Sequence, residues 1–223
     1  MNLALVGYGK MGKLIEQLAP QAGFSVTARI DAGDDLSAAR GADVAIEFTQ
    51  PEAAAGNIEQ LASLGVPVVC GTTGWLAELP RVREAVERAG TALVWSPNYS
   101  IGVNVFTRLV AEASKLLANE AEYGAWAWEI HHITKKDAPS GTLLKLVQAM
   151  KSAGYERPID VSSSRAGAHP GTHEVGFDSA ADTITLRHTA RSREGFARGA
   201  LKAAQWIIGK RGVFEFSEVL FGR

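Results

Sequence analysis

Short apolar segments alternate with helix-like segments through the first hundred residues, and this rhythm limits the fold more than any other feature of the chain. The apolar segments lack the polar alternation of a half-exposed strand, so each is predicted to be buried on both faces. Helices between such strands predict a parallel sheet with a helical layer on each side. The predicted strands are residues 3–6, 24–30, 44–48, 66–70 and 92–95, and the predicted helices are residues 10–22, 51–64 and 76–89.

The rhythm changes near residue 100, where we predict a domain boundary. Residues 123–131 alternate with period two, so Glu129 and His131 share one strand face and we expect the opposite, tryptophan-bearing face to be buried. An antiparallel pair is predicted over residues 174–177 and 183–189. The remaining predicted elements are a loop over 162–171, helices over 103–118, 143–153 and 196–208, and a strand over 213–216. On the first of these helices we expect a buried stripe of Val105, Leu109, Ala113 and Leu116.

Charge and cysteine content exclude several classes of protein. A net charge of −1, from 23 basic and 24 acidic residues, gives no bulk attraction to nucleic acid or to an anionic membrane. The single cysteine, Cys70, cannot form an internal disulfide and is predicted to be a core residue at the end of a strand. Without a signal peptide or a stretch of about 20 apolar residues, we expect a cytoplasmic protein.

Three glycines near the N-terminus predict a dinucleotide site. Gly7, Gly9 and Gly12 form a G-x-G-x-x-G motif between a strand and a helix, where they would allow a tight turn, close approach of a pyrophosphate and close packing of the helix. Asp31, at the end of the second strand, is placed to accept the adenosine ribose hydroxyls and favours NADH over NADPH. Lys10, Lys13 or Arg29 could still reach a 2′-phosphate. A plain strand–helix turn is the alternative reading.

Two further polar loops follow predicted strands. Gly71-Thr72-Thr73-Gly74 follows the fourth strand, and Ser96-Pro97-Asn98-Tyr99 follows the fifth. Ligands bind at the carboxyl ends of parallel strands in open α/β sheets, so both loops are predicted to lie at the cofactor edge. Each could instead be only a connection.

A central segment carries an unusual density of ionisable groups. Residues 129–142 combine adjacent histidines, two lysines, carboxylates and a Pro-Ser-Gly-Thr turn in which Ser140 can cap a helix. A site that transfers a proton to a small anionic substrate needs this mixture. A metal site is the weaker alternative, because adjacent residues on a strand point to opposite faces and no cysteine accompanies them. A structural origin is the third.

The segment E-x-H-H-x-x-K-x-D-A-P-S-G-T at Glu129–Thr142 resembles the signature of the 4-hydroxy-tetrahydrodipicolinate reductase (dihydrodipicolinate reductase) family. Further motifs of the family lie along the whole chain. The short segment of residues 32–42, Glu47 in place of Asp and Tyr99 in place of Phe depart from the common pattern. The matching motifs are Gly7–Gly12, Glu47–Pro51, Gly71–Gly74, Asn98–Asn104, Arg165–Gly167, Gly171-x-His173, His188–Arg193 and Phe196-Ala197.

The resemblance implies roles for the matching positions. His131 corresponds to a proton donor and acceptor, Lys135 to a second proton donor, and His132 to a substrate contact. Gly141 and Thr142 match a pair that binds a substrate carboxylate. The implied cofactor is NADH or NADPH, with NADH favoured and no metal. Its implied contacts are Gly7, Tyr8, Gly9, Lys10, Met11, Gly12, Asp31, Gly71, Thr72, Thr73, Ser96, Pro97, Asn98 and Tyr99.

We therefore expect an α/β protein with a Rossmann-type dinucleotide-binding domain over residues 1–99 and 195–223. A smaller α+β domain with an open mixed sheet, over residues 100–194, would bind a cyclic dicarboxylate substrate and assemble a homotetramer. The implied reaction is reduction of 4-hydroxy-tetrahydrodipicolinate in lysine biosynthesis. Two alternatives stay open, a sugar or semialdehyde dehydrogenase and a redox-sensing NAD-binding module without turnover. The fold alone cannot distinguish either alternative from a reductase, because one fold can carry many functions.

Overall fold

The computed structural model describes residues 1–222, which divide into two compact units. The first unit contains Met1–Ile101 and the chain from Glu194 onward, and the second contains Gly102–Arg193. In the first unit the elements are β1 (Asn2–Val6), α1 (Lys10–Leu18), β2 (Ser25–Ile30), β3 (Val44–Glu47), α2 (Pro51–Ser63), β4 (Val68–Cys70), α3 (Leu79–Arg88), β5 (Ala92–Trp95), α6 (Glu194–Ile207), β10 (Gly212–Glu215) and α7 (Phe216–Phe221).

The first unit is built on a parallel sheet. Within residues 1–222 its strands number six, in the order β10-β5-β4-β3-β1-β2, and every pairing is parallel. Successive side chains of β3 enter opposite cores: Val44 and Ile46 pack beneath α1 and α6, while Ala45 packs beneath α2. Burial on both faces explains why these strands are apolar throughout. The predicted Rossmann-type architecture is confirmed.

The chain leaves the sheet in opposite directions on either side of β1. β2 pairs with one edge of β1 and β3 with the other, so the strand order reverses there. Such a reversal opens a crevice at the carboxyl ends of the strands, where open α/β sheets bind ligands.

The second unit is a mixed sheet covered by helices on one face. Its order within the described residues is β7-β6-β8-β9, with β6 parallel to β7 and β8 antiparallel to both β6 and β9. The core beneath the helices contains Ala127, Val175 and Phe177 from the sheet. The elements are α4 (Ile101–Leu116), β6 (Gly124–His131), α5 (Gly141–Ser152), β7 (Ile159–Arg165), β8 (Thr172–Asp178) and β9 (Thr183–Thr189).

Two local predictions were wrong, and one helix was missed. The predicted loop over residues 162–171 begins inside β7, because pairing with β6 overrides the turn-like composition of its serines. The stripe through Val105, Leu109 and Leu116 is exposed, while Phe106 and Val110 of the same helix face the core. The helix α7 was not anticipated after β10.

The buried face of β6 was also misassigned. Ala127, Glu129 and His131 face the helices and are buried, whereas Trp126 and Trp128 on the opposite face are half-buried. Alternation identified which residues share a face. The choice of face depended on where α4 and α5 pack, which the alternation does not contain. Across the described residues, no helix is both long and apolar enough to cross a bilayer.

Candidate active site

A buried cluster of titratable side chains lies on the helix-covered face of the second unit. Glu129 and His131 are two residues apart on β6, and β8 pairs His173 directly opposite Glu129. His173 Nε2 lies 3.3 Å and His131 Nδ1 lies 3.4 Å from Glu129 Oε2. The two imidazole rings meet edge to face with centroids 5.0 Å apart. The strand register thus brings two histidines against one carboxylate.

The Glu129 carboxylate is wholly buried and accepts hydrogen bonds from two segments of the chain. Ser140 donates its amide to Oε1 over 2.8 Å and its hydroxyl to Oε2. On β7, Ser163 Oγ and Arg165 Nη2 donate to Oε1 over 3.0 and 2.9 Å. Burial opposes ionisation, but these hydrogen bonds outweigh it and hold the pKa of Glu129 below its ordinary value. The group is therefore an anion at neutral pH.

Both histidines of the cluster favour the neutral form. Burial is the largest cause that lowers the pKa of His131, and Lys135 and Arg165 lower it further, while Glu129 raises it. Burial lowers the pKa of His173 to about 4. Gly171 leaves room for this arrangement, since a Cβ there would lie 2.9 Å from His131 Nε2. A neutral imidazole beside a fixed anion can take up a proton and release it again.

The segment after β6 carries the predicted catalytic lysine. Lys135 Nζ donates to Asp137 Oδ1 over 2.7 Å, and this ammonium holds the pKa of Asp137 below its ordinary value. His132 contacts Thr134 Oγ1 through Nδ1 at 2.7 Å. Both predicted groups are half-buried within a few residues of His131. The second unit therefore holds an imidazole and an ammonium at the same end of β6.

Helix α5 begins where this segment ends. Ser140 is its N-cap, as predicted, and its Oγ accepts from the Leu143 amide over 3.2 Å. Gly141 and Thr142 form the first two helical positions and are more exposed than the buried Ser140 and Leu143. The amides of a first helical turn and the helix dipole attract anions. The predicted carboxylate-binding pair thus stands at a helix N-terminus.

Sequence reasoning assigned no role to Glu129, Ser163, Arg165 or His173, although all of these except Ser163 lie in motifs of the resemblance. The alternation of His173, Val175 and Phe177 places them on one strand face, which was available from the sequence. The register that sets His173 opposite Glu129 could not be predicted from the sequence, because it depends on pairing between distant segments.

The cluster also resembles a set of metal ligands. Glu129, His131 and His173 each offer one atom, all within 4.8 Å of one another. Arg165 already donates to the same carboxylate, and its positive charge would repel a cation at that point. The donor set therefore suits proton exchange better than metal binding, and we assign no metal to it.

The glycine motif of the first unit shapes the crevice at the end of β1. Gly7 has φ +89°, and a Cβ there would lie 2.0 Å from the Phe48 carbonyl oxygen. A Cβ on Gly12 would lie 2.4 Å from the Gly7 carbonyl oxygen, whereas one on Gly9 would meet nothing within 4 Å. Gly7 and Gly12 are therefore required by packing. Gly9 leaves backbone open to a ligand at the start of α1.

A cavity of about 580 Å³ lies in this crevice. Its lining comes from the segments that follow β1, β3 and β4, all at the carboxyl edge of the sheet. Eight predicted cofactor residues are absent from this lining, namely Gly7, Tyr8, Gly12, Asp31, Ser96, Pro97, Asn98 and Tyr99. The residues that line it are Gly9, Lys10, Met11, Phe48, Thr49, Gln50, Pro51, Gly71, Thr72 and Thr73.

The remaining predicted cofactor residues differ in their availability. Asp31 is exposed directly after β2. The Tyr8 hydroxyl donates to Glu16, which also accepts from Arg29. Tyr99 is 1% exposed, and its hydroxyl lies 2.9 Å from the Val94 carbonyl oxygen. The Tyr99 side chain is thus committed to the core.

Comparison with known proteins gives matches over nearly the whole chain. The family model for dihydrodipicolinate reductase, N-terminus, matches residues 1–99, and that for its C-terminus matches residues 102–220. A 4-hydroxy-tetrahydrodipicolinate reductase from Christiangramia forsetii is 37% identical over 99% of this chain and 98% of its own. One from Archaeoglobus fulgidus is 35% identical over 99% of this chain and 100% of its own.

A solved structure shares the fold. The dipicolinate-bound dihydrodipicolinate reductase from Paenisporosarcina sp. TG-14 superposes with a TM-score of 0.81 at 20% identity, covering 96% of this chain and 97% of that chain. Both units of the present fold are therefore found together in another protein. At this identity the likeness concerns the fold alone.

Proposed function

The chain belongs to the dihydrodipicolinate reductase family, and we propose from that premise which of its residues carry out the reaction. Membership confirms the resemblance seen in the sequence. The activity is NAD(P)H-dependent reduction of 4-hydroxy-tetrahydrodipicolinate, via dihydrodipicolinate, to tetrahydrodipicolinate in lysine and diaminopimelate biosynthesis. The observation that carries our assignment is the cluster of Glu129, His131 and His173 beside the start of α5.

His131 and Lys135 are the proposed proton-handling residues. A nicotinamide cofactor, when bound, would supply the hydride that reduces a ring carbon of the cyclic imine. Negative charge that develops on the ring is then neutralised by a proton, which His131 or Lys135 donates. General acid catalysis of this kind contributes roughly 10²–10⁴-fold to rate. Support comes from the buried His131, whose Nδ1 lies 3.4 Å from Glu129 Oε2, and from Lys135, whose Nζ lies 2.7 Å from Asp137 Oδ1.

The substrate carboxylates are proposed to bind at the start of α5. Gly141 and Thr142 would present backbone amides to one carboxylate, and the Thr142 hydroxyl adds a further donor. His132 and the Lys135 ammonium offer positive charge or a hydrogen bond to the other. Support comes from the Ser140 cap, which fixes the orientation of the first helical turn.

A nicotinamide cofactor fits the crevice of the first unit. Gly7 and Gly12 are held by close backbone contacts that a Cβ would destroy, and Gly9 leaves space above the start of α1. We assign the pyrophosphate to these glycines and the flanking Lys10, with Gly71–Thr73 and Ser96–Asn98 as further contacts. We propose that NADH is preferred, because the exposed Asp31 carboxylate would repel a 2′-phosphate.

The environment of Cys70 argues against a semialdehyde dehydrogenase and bears on the cellular location of the protein. Semialdehyde dehydrogenases need a nucleophilic cysteine, whereas Cys70 is fully buried and donates to Glu47 over 3.0 Å. Burial raises its pKa well above the ordinary value, so the reactive thiolate is disfavoured. Imine reduction is thus the better reading. A lone free cysteine also fits the cytoplasm, which is our proposed location.

A homotetramer is proposed as the working form. The open face of the mixed sheet carries Trp126, Trp128 and Ile130, all half-buried in the single chain. Large aromatic side chains on a sheet face that lacks covering helices suit an interface between copies. Light scattering of the purified chain tests this: four copies per particle are expected, and a monomer at micromolar concentration would contradict it.

A coupled assay tests the reaction and the cofactor together. Purified protein is added to a dihydrodipicolinate synthase reaction, and oxidation of NADH and of NADPH is followed by absorbance in separate runs. We expect oxidation that depends on the condensation product and is faster with NADH. The same run with His131→Asn and Lys135→Ala should lose most of the rate. Full activity in either variant would overturn the residue assignment, and equal rates with NADPH would overturn the preference.

A further inference from the structure

The Glu129 carboxylate accepts more hydrogen bonds than the two histidines of the cluster, although it carries no proton in the reaction proposed above. Its oxygens accept from Ser140 N, Ser140 Oγ, Ser163 Oγ and Arg165 Nη2, donors that come from strand β7 and the cap of α5. A carboxylate offers about four acceptor sites, so these donors occupy its capacity. A group so fixed is suited to hold its neighbours in place.

One neighbour held in this way is the start of α5. Ser140 has a single hydroxyl hydrogen, which it donates to Glu129, while its Oγ accepts from the Leu143 amide. Its own amide also donates to Glu129. Glu129 therefore holds the Ser140 cap in place through two hydrogen bonds. The amides of Gly141 and Thr142, which follow directly, take their direction from that cap.

The second neighbour is the histidine pair. His173 Nε2 lies 3.2 Å from Ser140 Oγ and 3.3 Å from Glu129 Oε2. Since the Ser140 hydrogen is directed at Glu129, Nε2 of His173 must carry the hydrogen of the neutral ring. His131 Nδ1 is buried without a hydrogen-bond partner among the described residues and lies 3.4 Å from Glu129 Oε2. Protonated Nδ1 would face this carboxylate.

Glu129 is the anion among the charged groups around His131. Arg165 on β7, His173 on β8, and His132 and Lys135 on the following segment are cationic or become so on protonation. Without the carboxylate, a protonated His131 would lose this opposite charge and keep the like charges of Lys135 and Arg165 in a buried setting. Such an arrangement disfavours proton uptake.

We propose that Glu129 is the positioning residue of this site: it fixes the anion-binding start of α5 through Ser140 and provides the negative charge against which His131 gains and loses its proton. The inference rests on the function proposed above, since it assumes that α5 and His131 serve the reaction. Glu129 itself contacts no reacting atom in this scheme and acts through its neighbours.

The test compares Glu129→Gln with Glu47→Gln, which removes an equally buried carboxylate from the first unit. Steady-state kinetics give the substrate KM and kcat, quenching of tryptophan fluorescence gives the NADH Kd, and NMR follows titration of the His131 imidazole. The His131 signal, one of five histidine signals, is identified by its absence in His131→Asn. These readouts separate positioning from loss of fold.

For Glu129→Gln we expect kcat/KM to fall about 10²-fold, the cost of misplacing groups by roughly 1 Å. The His131 titration should move to lower pH, and the NADH Kd should stay unchanged. Glu47→Gln should leave the substrate KM and the His131 titration in place. A His131 titration at the wild-type pH in folded Glu129→Gln, or an unchanged substrate KM, would overturn the inference.

Ser140→Ala keeps the test decisive if Glu129→Gln does not fold. It removes the link to α5 but retains the carboxylate, so the substrate KM should rise about tenfold with the His131 titration unchanged. An unchanged KM would overturn the proposed link. Failure of the proposed function is distinguishable, because it would appear as full activity of His131→Asn or as a wild-type chain without reductase activity.

Discussion

Each unit of the molecule buries one glutamate completely near the end of a strand, and the two are satisfied in opposite ways. Glu47, on β3, accepts from Cys70 Sγ over 3.0 Å and from Thr49 through its amide and hydroxyl. These donors are neutral. Glu129, on β6, accepts from Arg165 and two serines and faces two imidazoles.

The difference indicates what each carboxylate is for. Thr49 does not ionise, and burial raises the pKa of Cys70 well above its ordinary value, so the surroundings of Glu47 keep one charge state. Glu47 joins β3 and β4 beneath the loops that line the crevice. Around Glu129 the neighbouring groups can change charge. The surroundings of Glu47 therefore have a fixed charge, whereas the surroundings of Glu129 suit the proton exchange that we propose.

We expect the largest loss of turnover from Lys135→Ala, which removes an ammonium from the second unit. Turnover should fall roughly 10²–10⁴-fold through loss of a proton donor, with the NADH Kd unchanged. Lys136→Ala is the matched control, because Lys136 is adjacent and exposed. Steady-state kinetics and fluorescence titration measure both. A comparable loss of NADH affinity would contradict the division of labour between the units.

Acid should destabilise the cluster around Glu129. The pKa of His173 falls from 6.5 to about 4 on folding, so the unfolded chain binds the proton more readily between these values. Stability should therefore be complete above pH 6.5 and fall by about 3 kcal/mol as the pH drops through this window.

Denaturant unfolding at pH 7 and pH 5 measures this slope. His173→Asn should flatten it, whereas His169→Asn, a half-buried histidine outside the cluster, should keep it. The same slope in wild type and His173→Asn would show that the acid sensitivity arises elsewhere.

Glu47→Gln probes the neutral network directly. The amide nitrogen of glutamine would replace an oxygen that accepts from Cys70, so a donor would face a donor. We expect the free energy of unfolding to fall by about 1–3 kcal/mol at every pH between 5 and 8. The NADH KM should rise, because Thr49 and Thr72, which line the crevice, are hydrogen-bonded over 2.7 Å in the same network. A pH-dependent loss would contradict the comparison.

The smallest effect concerns Asp31→Ala. Loss of the exposed carboxylate should weaken NADH binding about tenfold and reduce the difference in affinity between NADH and NADPH. Asp34→Asn is the matched control, since it removes a nearby charge while keeping an acceptor for the Asp31 amide, which donates to Asp34 over 2.8 Å. Cofactor titrations measure the dissociation constants of NADH and NADPH for both variants. Unchanged NADH binding in Asp31→Ala would exclude a ribose contact.

Much of the first unit could be read from the chain because its signals are local. Apolar runs predicted buried strands, and the Gly7 turn was predicted from a motif whose steric need is visible in the structure. In the second unit the Ser140 cap was predicted, because a cap depends on residues next to it in sequence. The edge strand β7 was missed, since its serines resemble a loop until a neighbouring strand pairs with them.

The sequence by itself determined the order of the elements, the glycine turn and the segment that holds His131 and Lys135, because each depends on near neighbours. Tertiary structure decided that Glu129 is buried rather than exposed and that His173 stands opposite it. Strand register and the choice of covered face arise from pairing and packing between distant segments. No local period encodes those contacts, so the partners of Glu129 can be identified only in the folded protein.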